Sequence, residues 1–597
     1  MSPLFVVATL TTLVGFNLLS FPFSRQRKIF IFRWTNLLCG AVFVFYGWYF
    51  NHLTILQLFL YITLWSAAYW ISAYNHTDCY LIGRAILATL ISSIILYLLD
   101  KAHVLFYLKQ GWVGYTATLV FEAGEIAFLL LLVFFAWDMV RALDLHLSPD
   151  AKPPTTDSNY TPFVSIHVPI CNEPVDLVSK TIHALSRLSY PAYEVIVVDN
   201  NTDDPALWMP IKACCEQLGF QFVHVNPHPG FKAGALNLAL AKTSATASLI
   251  AVVDADYELR PEFLTDNVAV FTDPNVAFLQ TPQRSKNVQA NKITRAFNPV
   301  YDFFYDITML ARSQRNSIIF AGCAGLIRCS ALREAGGWAE WSITEDAELS
   351  LRLLKLGYKG VYVNRGYGAG LMPETFNDIQ KQWFRYFCGG LDITSHFLVS
   401  TILARNKLSF MQRLDFLMGG IINLGAVMML LSTAWIVITA MTYSILQAQG
   451  SALAGDMLYW LGIFSNWLIV YDSFLIFEVF LLFLAFRLVY QFNWIEALGA
   501  AGSFLSLMTT QARAALSFLL GQERSFMKTP KQTIDRSRKR GIGPIWFELL
   551  LCIALGTAMA CLFWIAPSKP VVLSYITLGL WQILIYGSTV WRAFQSP

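Results

Sequence analysis

Apolar residues run in long unbroken stretches towards both ends of the chain and in short ones between them. Crossing a bilayer as a helix takes about 20 apolar residues. That length predicts spans near 3–22, 34–50, 53–74, 81–99 and 113–140, and again near 412–445, 466–490, 543–566 and 570–592. The first stretch lacks a basic leader and a small-residue cleavage site, so it reads as a retained membrane helix. Residues 141–160 are rich in Asp, Lys, Pro, Thr and Ser, as in a linker. The pattern divides the chain into an N-terminal membrane part (1–150), a soluble α/β domain (151–395) and a C-terminal membrane part (396–597). Arg25, Arg27, Lys28 and Arg33 crowd the first loop, which the positive-inside rule places in the cytoplasm. Counting spans from there puts the soluble domain in the cytosol too. Residues 376–396 and 494–520 mix polar and apolar positions and read as interfacial helices. For 494–520 a polar membrane helix lining a cavity is the alternative.

Inside the soluble part, Phe163–Pro169, Val195–Val198, Phe220–Val225 and Leu249–Val253 are short β-prone runs, and Val175–Leu188 has helical spacing. Short apolar strands alternating with helices predict a parallel sheet. Ligands in such sheets bind beyond the carboxyl ends of the strands. Glu173, Asp199 and Asp254 each lie just past such an end. There is no GxGxxG, so no dinucleotide cofactor is indicated.

Composition supports the membrane reading: 56% of residues are hydrophobic and 14% charged, against about a quarter charged in soluble chains. A net charge of +4 gives no reason to expect nucleic acid as a partner. The ten cysteines show no CxxC spacing, which excludes a recognisable zinc or redox framework. His224 and His228 are four apart, but Pro227 and Pro229 argue against a shared helix face, so both read as loop residues rather than metal ligands.

Three segments carry candidate chemistry. Asp254 and Asp256 end a strand and could share Mg2+ or Mn2+, because such ions take one or two carboxylates plus substrate phosphates. The alternative is a solvated turn. In Thr344-Glu345-Asp346 a helix begins, with Leu349, Leu353 and Leu356 on one face, Gly357 at its end, and Ser342 and Glu345 at capping-box spacing. A carboxylate there is favoured by the helix dipole and could act as a general base; a plain capped helix is the alternative. Gln382, Arg385 and Tyr386 share a helix face, suited to a diphosphate and a sugar ring, or simply to interfacial anchoring. Upstream, Asn172-Glu173-Pro174 and Asp199 offer acceptors for a base and ribose, and Lys232 could meet a phosphate at a helix start.

The order Asn-Glu-Pro, Asp199, Lys232-Ala233-Gly234, Asp254-Ala255-Asp256, Thr344-Glu345-Asp346 and Gln382-x-x-Arg385-Tyr386 resembles the processive family 2 glycosyltransferases, such as the bacterial cellulose synthases. Phe526-Met527-Lys528-Thr529-Pro530-Lys531 is similar to their gating loop, here within 521–540, and Phe320–Cys323 stands where they carry an acceptor-side segment. The resemblance implies a multi-pass α-helical membrane protein with an inserted cytosolic α/β GT-A (Rossmann-like) domain, in an inner or plasma membrane. It implies that Glu173, Asp199 and Lys232 hold a uridine diphosphate sugar, with UDP-glucose expected. Asp254 and Asp256 would orient it through Mg2+ or Mn2+. Asp346 would be the base beside Glu345, and Gln382 and Arg385 would meet the donor. Cys323 and Tyr386 would face the acceptor, and Phe526, Thr529 and Lys531 would close over the donor. Its product would be a β-linked polysaccharide, passed through the bilayer, with or without accessory export subunits. Gly370–Thr375 and Arg385–Gly390 look closer to β-1,3-glucan synthases than to cellulose synthases. A β-1,4-glucan synthase and a non-processive enzyme using a lipid-linked acceptor are the alternatives.

Overall fold

The computed structural model describes residues 133–142, 160–402, 406–451, 478–487, 489–522, 545–565 and 570–596, with a few isolated positions. The first four expected spans, most of the fifth, most of that near 466–490 and the expected gating loop lie outside the described residues.

Ten strands are described: β1 Val164–Ile170, β2 Tyr193–Asn200, β3 Gln221–Val225, β4 Leu249–Val252, β5 Glu258–Leu259, β6 Val276–Gln280, β7 Arg284–Ser285, β8 Gly325–Arg328, β9 Lys359–Tyr362 and β10 Gly368–Gly370. Seven form a sheet in the order β3-β2-β1-β4-β8-β6-β9; β5, β10 and β7 form a small second sheet. β3, β2, β1 and β4 are parallel, as their continuous apolar runs predict. The expectation of an all-parallel sheet is corrected beyond β4: β8 runs antiparallel to both β4 and β6. Gly325–Arg328 is short and follows a loop rather than a crossover helix, which lets it enter against the sheet's direction.

The helices used below are α1 Val175–Leu185, α2 Pro205–Gln217, α3 Phe231–Lys242, α4 Lys292–Phe303, α5 Glu345–Leu356, α6 Phe376–Ile402, α7 Phe410–Ala448, α8 Trp494–Leu505, α9 Met508–Leu519, α10 Trp546–Ile565 and α11 Pro570–Gln595. One sheet face buries Ile166, Val168, Val195 and Val197 against Val178 and Ile182 of α1 and Ile211 of α2. The other buries Ile250, Val252, Phe278 and Ile327 against Leu349 and Leu353 of α5. His167 lies inside this sandwich, neutral because burial pushes its pKa down to about 3, and it bonds Thr243 Oγ1 at 2.8 Å. Histidine His224 lies on β3, not in a loop, because the strand runs on to Val225 before Pro227 ends it.

The chain divides into two compact units. One takes residues 150–429, 507–545 and 589–597 and contains both sheets; within it α9 packs along α6. The other gathers 1–149, 430–506 and 546–588. In that unit Gln582 of α11 donates to Ser432 Oγ at 2.7 Å and accepts from Thr433 Oγ1 at 2.7 Å, a buried polar rung of the kind that ties helices together in lipid. Among the described helices, α7 and α10 are long and apolar enough to cross a membrane.

Candidate active site

β1 and β4 are neighbours, while the chain steps outward from β1 to β2 and β3. The crevice beyond β1 and β4 is therefore the sheet's switch point, where α/β folds bind ligands. Glu173 is buried just past β1, and Asp254 and Asp256 follow β4.

Lys232, in the first turn of α3, reaches into this crevice. Its Nζ donates to Asp254 Oδ1 at 2.7 Å and to the Gly322 carbonyl at 3.1 Å. Gly322 has φ +74°, and a methyl group on it would lie 2.5 Å from Asp346 Oδ2 and 3.3 Å from Lys232 Nζ. Only a residue without a side chain lets the 320–324 loop pass between the lysine and the Asp346 carboxylate. The loop is pinned from below: Gln280 Oε1 accepts from Ala321 N at 2.7 Å, and Gln283 Nε2 donates to Ala321 O at 2.7 Å. Cys323 is buried, and its Sγ accepts from Asp254 N at 3.3 Å. Burial and the Asp254 charge hold that thiol well above its usual pKa, so it stays neutral.

Glu345 and Asp346 open α5. The expected capping box is absent: Thr344 is the cap residue and makes no side-chain capping bond, while Ser342 Oγ accepts from Thr344 N at 3.3 Å. The helix starts two residues beyond the frame in which Ser342 would be the cap and Glu345 its third helical residue. Asp346 Oδ1 instead accepts from Ala347 N at 2.8 Å. Gly357 closes the helix in the left-handed region as expected.

Burial raises the pKa of Asp346, with Lys232 and Arg385 pulling it back. Burial and the Asp346 charge push Glu345 up to about 7, against the same two cations. The two carboxyls face each other and the same two cations, so they titrate as a pair. A carboxyl raised from 4.5 to about 7 binds more protons folded than unfolded across that interval. Its contribution to stability is therefore full below pH 4.5 and is lost as pH rises to about 7. Glu345→Gln is expected to flatten that decline; melting temperatures at pH 5 and 7.5 measure it, and equal slopes in both proteins would reject it. Burial works against the Lys232 ammonium, but Asp254, Glu345 and Asp346 outweigh it and raise its pKa.

α6 delivers Gln382, Arg385 and Tyr386. Gln382 Oε1 accepts from Tyr301 OH of α4 at 2.5 Å, and the Arg385 guanidinium lies 5.7 Å from the centre of the Tyr386 ring. Arg385 acts electrostatically on both Glu345 and Asp346. The structure thus brings together Lys232, Asp254, Cys323, Glu345, Asp346 and Arg385. Asp256 lies beside them with Oδ2 accepting from Leu371 N at 2.7 Å, so the Gly370–Thr375 segment braces the second carboxylate. Asp199 stands further along the strand ends, bonded to Thr202 Oγ1 at 2.5 Å and His224 Nδ1 at 2.7 Å. Phe526, Thr529 and Lys531 lie outside the described residues.

Among the described residues no cluster of three or more His, Cys, Asp and Glu side chains could form a protein-only metal cage. The pair Asp254 and Asp256 nevertheless fits Mg2+ or Mn2+, which complete their shells with substrate phosphates.

Sequence reasoning missed Tyr301, Gln280 and Gln283, and met Gly322 only as part of the Phe320–Cys323 segment. Gln280 had a usable signal, since it closes the apolar run Val276–Leu279 as Asp199 and Asp254 close theirs. The others are defined by contacts distant in sequence.

Residues 249–584, more than half of the chain, match the family model described as Glycosyl transferase family group 2. A probable glucomannan 4-beta-mannosyltransferase 7 of Oryza sativa subsp. japonica is 28% identical over 254 residues, covering 41% of this chain and 43% of that protein. Glucomannan 4-beta-mannosyltransferase 2 of Arabidopsis thaliana is 26% identical over 266 residues, covering 43% and 49%. The chain thus spans about half the length of the curated relatives it matches. Among solved structures, the mannosyltransferase PcManGT from Pyrobaculum calidifontis in complex with GDP-Man and Mn2+ is 17% identical with a TM-score of 0.42, covering 68% of this chain and 98% of that one.

Proposed function

The chain belongs to glycosyl transferase family group 2, and from that premise we propose that it is a membrane-embedded, processive, inverting glycosyltransferase that builds a β-linked polysaccharide from a nucleotide sugar. One observation carries the reading: Lys232, Asp254 and Asp346 meet around Gly322, with Arg385 acting on the same carboxylates.

In the proposed reaction the acceptor hydroxyl loses its proton to Asp346 as its oxygen attacks the anomeric carbon. The bond from that carbon to the diphosphate breaks, and the electron pair leaves with the diphosphate. Lys232 and Arg385 stabilise the charge that develops there. Asp254 and Asp256 would hold a divalent cation, Mg2+ or Mn2+, which neutralises diphosphate charge when bound. Attack from the face opposite the leaving group turns an α-linked donor into a β-linked product. Tyr386, exposed beside Arg385, offers its ring to the acceptor sugar. The apolar helices α7 and α10 support a membrane location, and the basic residues Arg25, Arg27, Lys28 and Arg33 favour a cytosolic side for the soluble domain. We assign gating over the donor to Phe526, Thr529 and Lys531.

Two sugars have specific support. The relatives, glucomannan 4-beta-mannosyltransferases, favour mannose in β-1,4 linkage. The Gly370–Thr375 and Arg385–Gly390 segments favour glucose in β-1,3 linkage. Purified full-length protein would be given labelled UDP-glucose or GDP-mannose with Mg2+ or Mn2+, and the product digested with β-1,3-glucanase, β-1,4-glucanase and β-mannanase. A long polymer cut by one of the three is expected and names sugar and linkage together. Transfer of a single sugar would reject processivity, and no transfer from any nucleotide sugar would reject the reading.

A further inference from the structure

Asp199 is the strand-end carboxylate nearest the expected base of the donor, yet it has no room to touch one. Its side chain is 2% exposed, Oδ1 accepts from Thr202 Oγ1, and Oδ2 is 2.7 Å from His224 Nδ1. His224 is its registered partner on β3, so both side chains lie on one face of the sheet. The imidazole is 27% exposed, with Nε2 neither buried nor hydrogen-bonded. Trp208 of α2 stacks on the ring at 4.3 Å and 15°, fixing its plane.

This arrangement also fixes the tautomer. A carboxylate only accepts, so Asp199 keeps a proton on Nδ1, and in the neutral imidazole the lone pair is then on Nε2. Adjacent strands are about 4.8 Å apart, so β3 lies about 14 Å along the carboxyl edge from β4. The phosphates belong at Lys232 and Asp254, and an extended nucleoside runs from there past β1 and β2 to His224.

We propose that His224 is the residue that reads the nucleobase of the donor, with Asp199 and Trp208 as the groups that position it. The inference rests on the nucleotide-sugar reading above. An acceptor at Nε2 selects a base whose central pairing-edge nitrogen carries a hydrogen. Uracil and guanine have one; in cytosine and adenine that nitrogen carries a lone pair, which would face the lone pair of the histidine. A buried polar contact left unmade lowers affinity about fivefold or more.

The test is calorimetric titration of UDP, GDP, CDP and ADP into the full-length protein in detergent, with Mg2+. Either UDP or GDP should bind at least about fivefold tighter than CDP and ADP, and the winner identifies the donor base. His224→Phe preserves a ring against Trp208 but has no acceptor, and should bring the four within about threefold of each other. His224→Gln retains a carbonyl acceptor and should keep part of the preference. Asp199→Asn is the sharper variant. Thr202 holds the carbonyl oxygen, so the new amide turns its N–H groups to Nδ1 and forces the proton onto Nε2. The preference should then shift towards CDP and ADP. A preference unchanged in His224→Phe, or a wild type favouring CDP or ADP, overturns the assignment of His224 alone. Failure of all four to bind the wild type would sink the nucleotide-donor reading beneath it.

Discussion

Asp346→Asn is expected to lower kcat by about a thousandfold, within the range for a lost general base, while nucleoside diphosphate affinity stays within about threefold of wild type. The replacement is isosteric, and the amide oxygen can still accept the Ala347 backbone N–H, so the start of α5 should keep its shape. What disappears is a carboxylate with a raised pKa, and therefore a stronger base than an ordinary aspartate. A base works in its ionised form, so the rate should fall as pH drops through that pKa. Because burial raises it, the fall should begin above the usual aspartate range. Glu345, pushed up to about 7, already holds the first proton of the pair there. Glu345→Gln should therefore retain most of the transfer at pH 6, which separates the two carboxyls. Single-turnover transfer from pH 5 to 8, with nucleotide titrations beside it, measures these effects. Loss of nucleotide binding in Asp346→Asn, or near-normal turnover, would remove Asp346 from the role of base.

The strands that frame this chemistry were readable because each is a largely apolar run followed by polar residues: Val164–Ile170, Tyr193–Asn200 and Leu249–Val252 end where Glu173, Asp199 and Asp254 begin to matter. The direction of Gly325–Arg328 was not readable, because strand orientation depends on the connection and not on the hydrophobic pattern. The helix of Glu345 was legible from Leu349, Leu353 and Gly357, but its cap was not, since a two-residue shift in the start removes Ser342 from reach. Proline on both sides of His228 hid the fact that His224 still belongs to β3 and bonds Asp199. Gly322 was named within the Phe320–Cys323 segment, but its part in the packing was not readable, for a different reason. Its importance lies in the side chains of Asp346 and Lys232, which approach it from separate elements.

The same reasoning makes Gly389→Ala the second large effect, with kcat expected to fall about a hundredfold, the penalty for displacing catalytic groups by an ångström. Gly389 is four residues beyond Arg385, on the same face of α6, and that face meets the start of α5. A methyl group at Gly389 would overlap Thr344 Oγ1 and Cγ2 and lie 2.9 Å from Thr344 Cβ. Rotating the threonine side chain could clear its outer atoms but not Cβ, so the two helices must part. Overpacking of this kind costs about 1–3 kcal/mol, and the displacement falls between Arg385 and Asp346. Nucleobase recognition by His224, held in place by Asp199, should suffer much less, because those residues stand on β2 and β3. Titration and turnover of one preparation therefore distinguish misplaced helices from a damaged domain. Adding Thr344→Gly removes the obstructing Cβ at a cap position that tolerates glycine, so the double variant should regain most of the lost turnover. If it does not, the close approach of Gly389 to Thr344 is not what sets the distance between base and arginine.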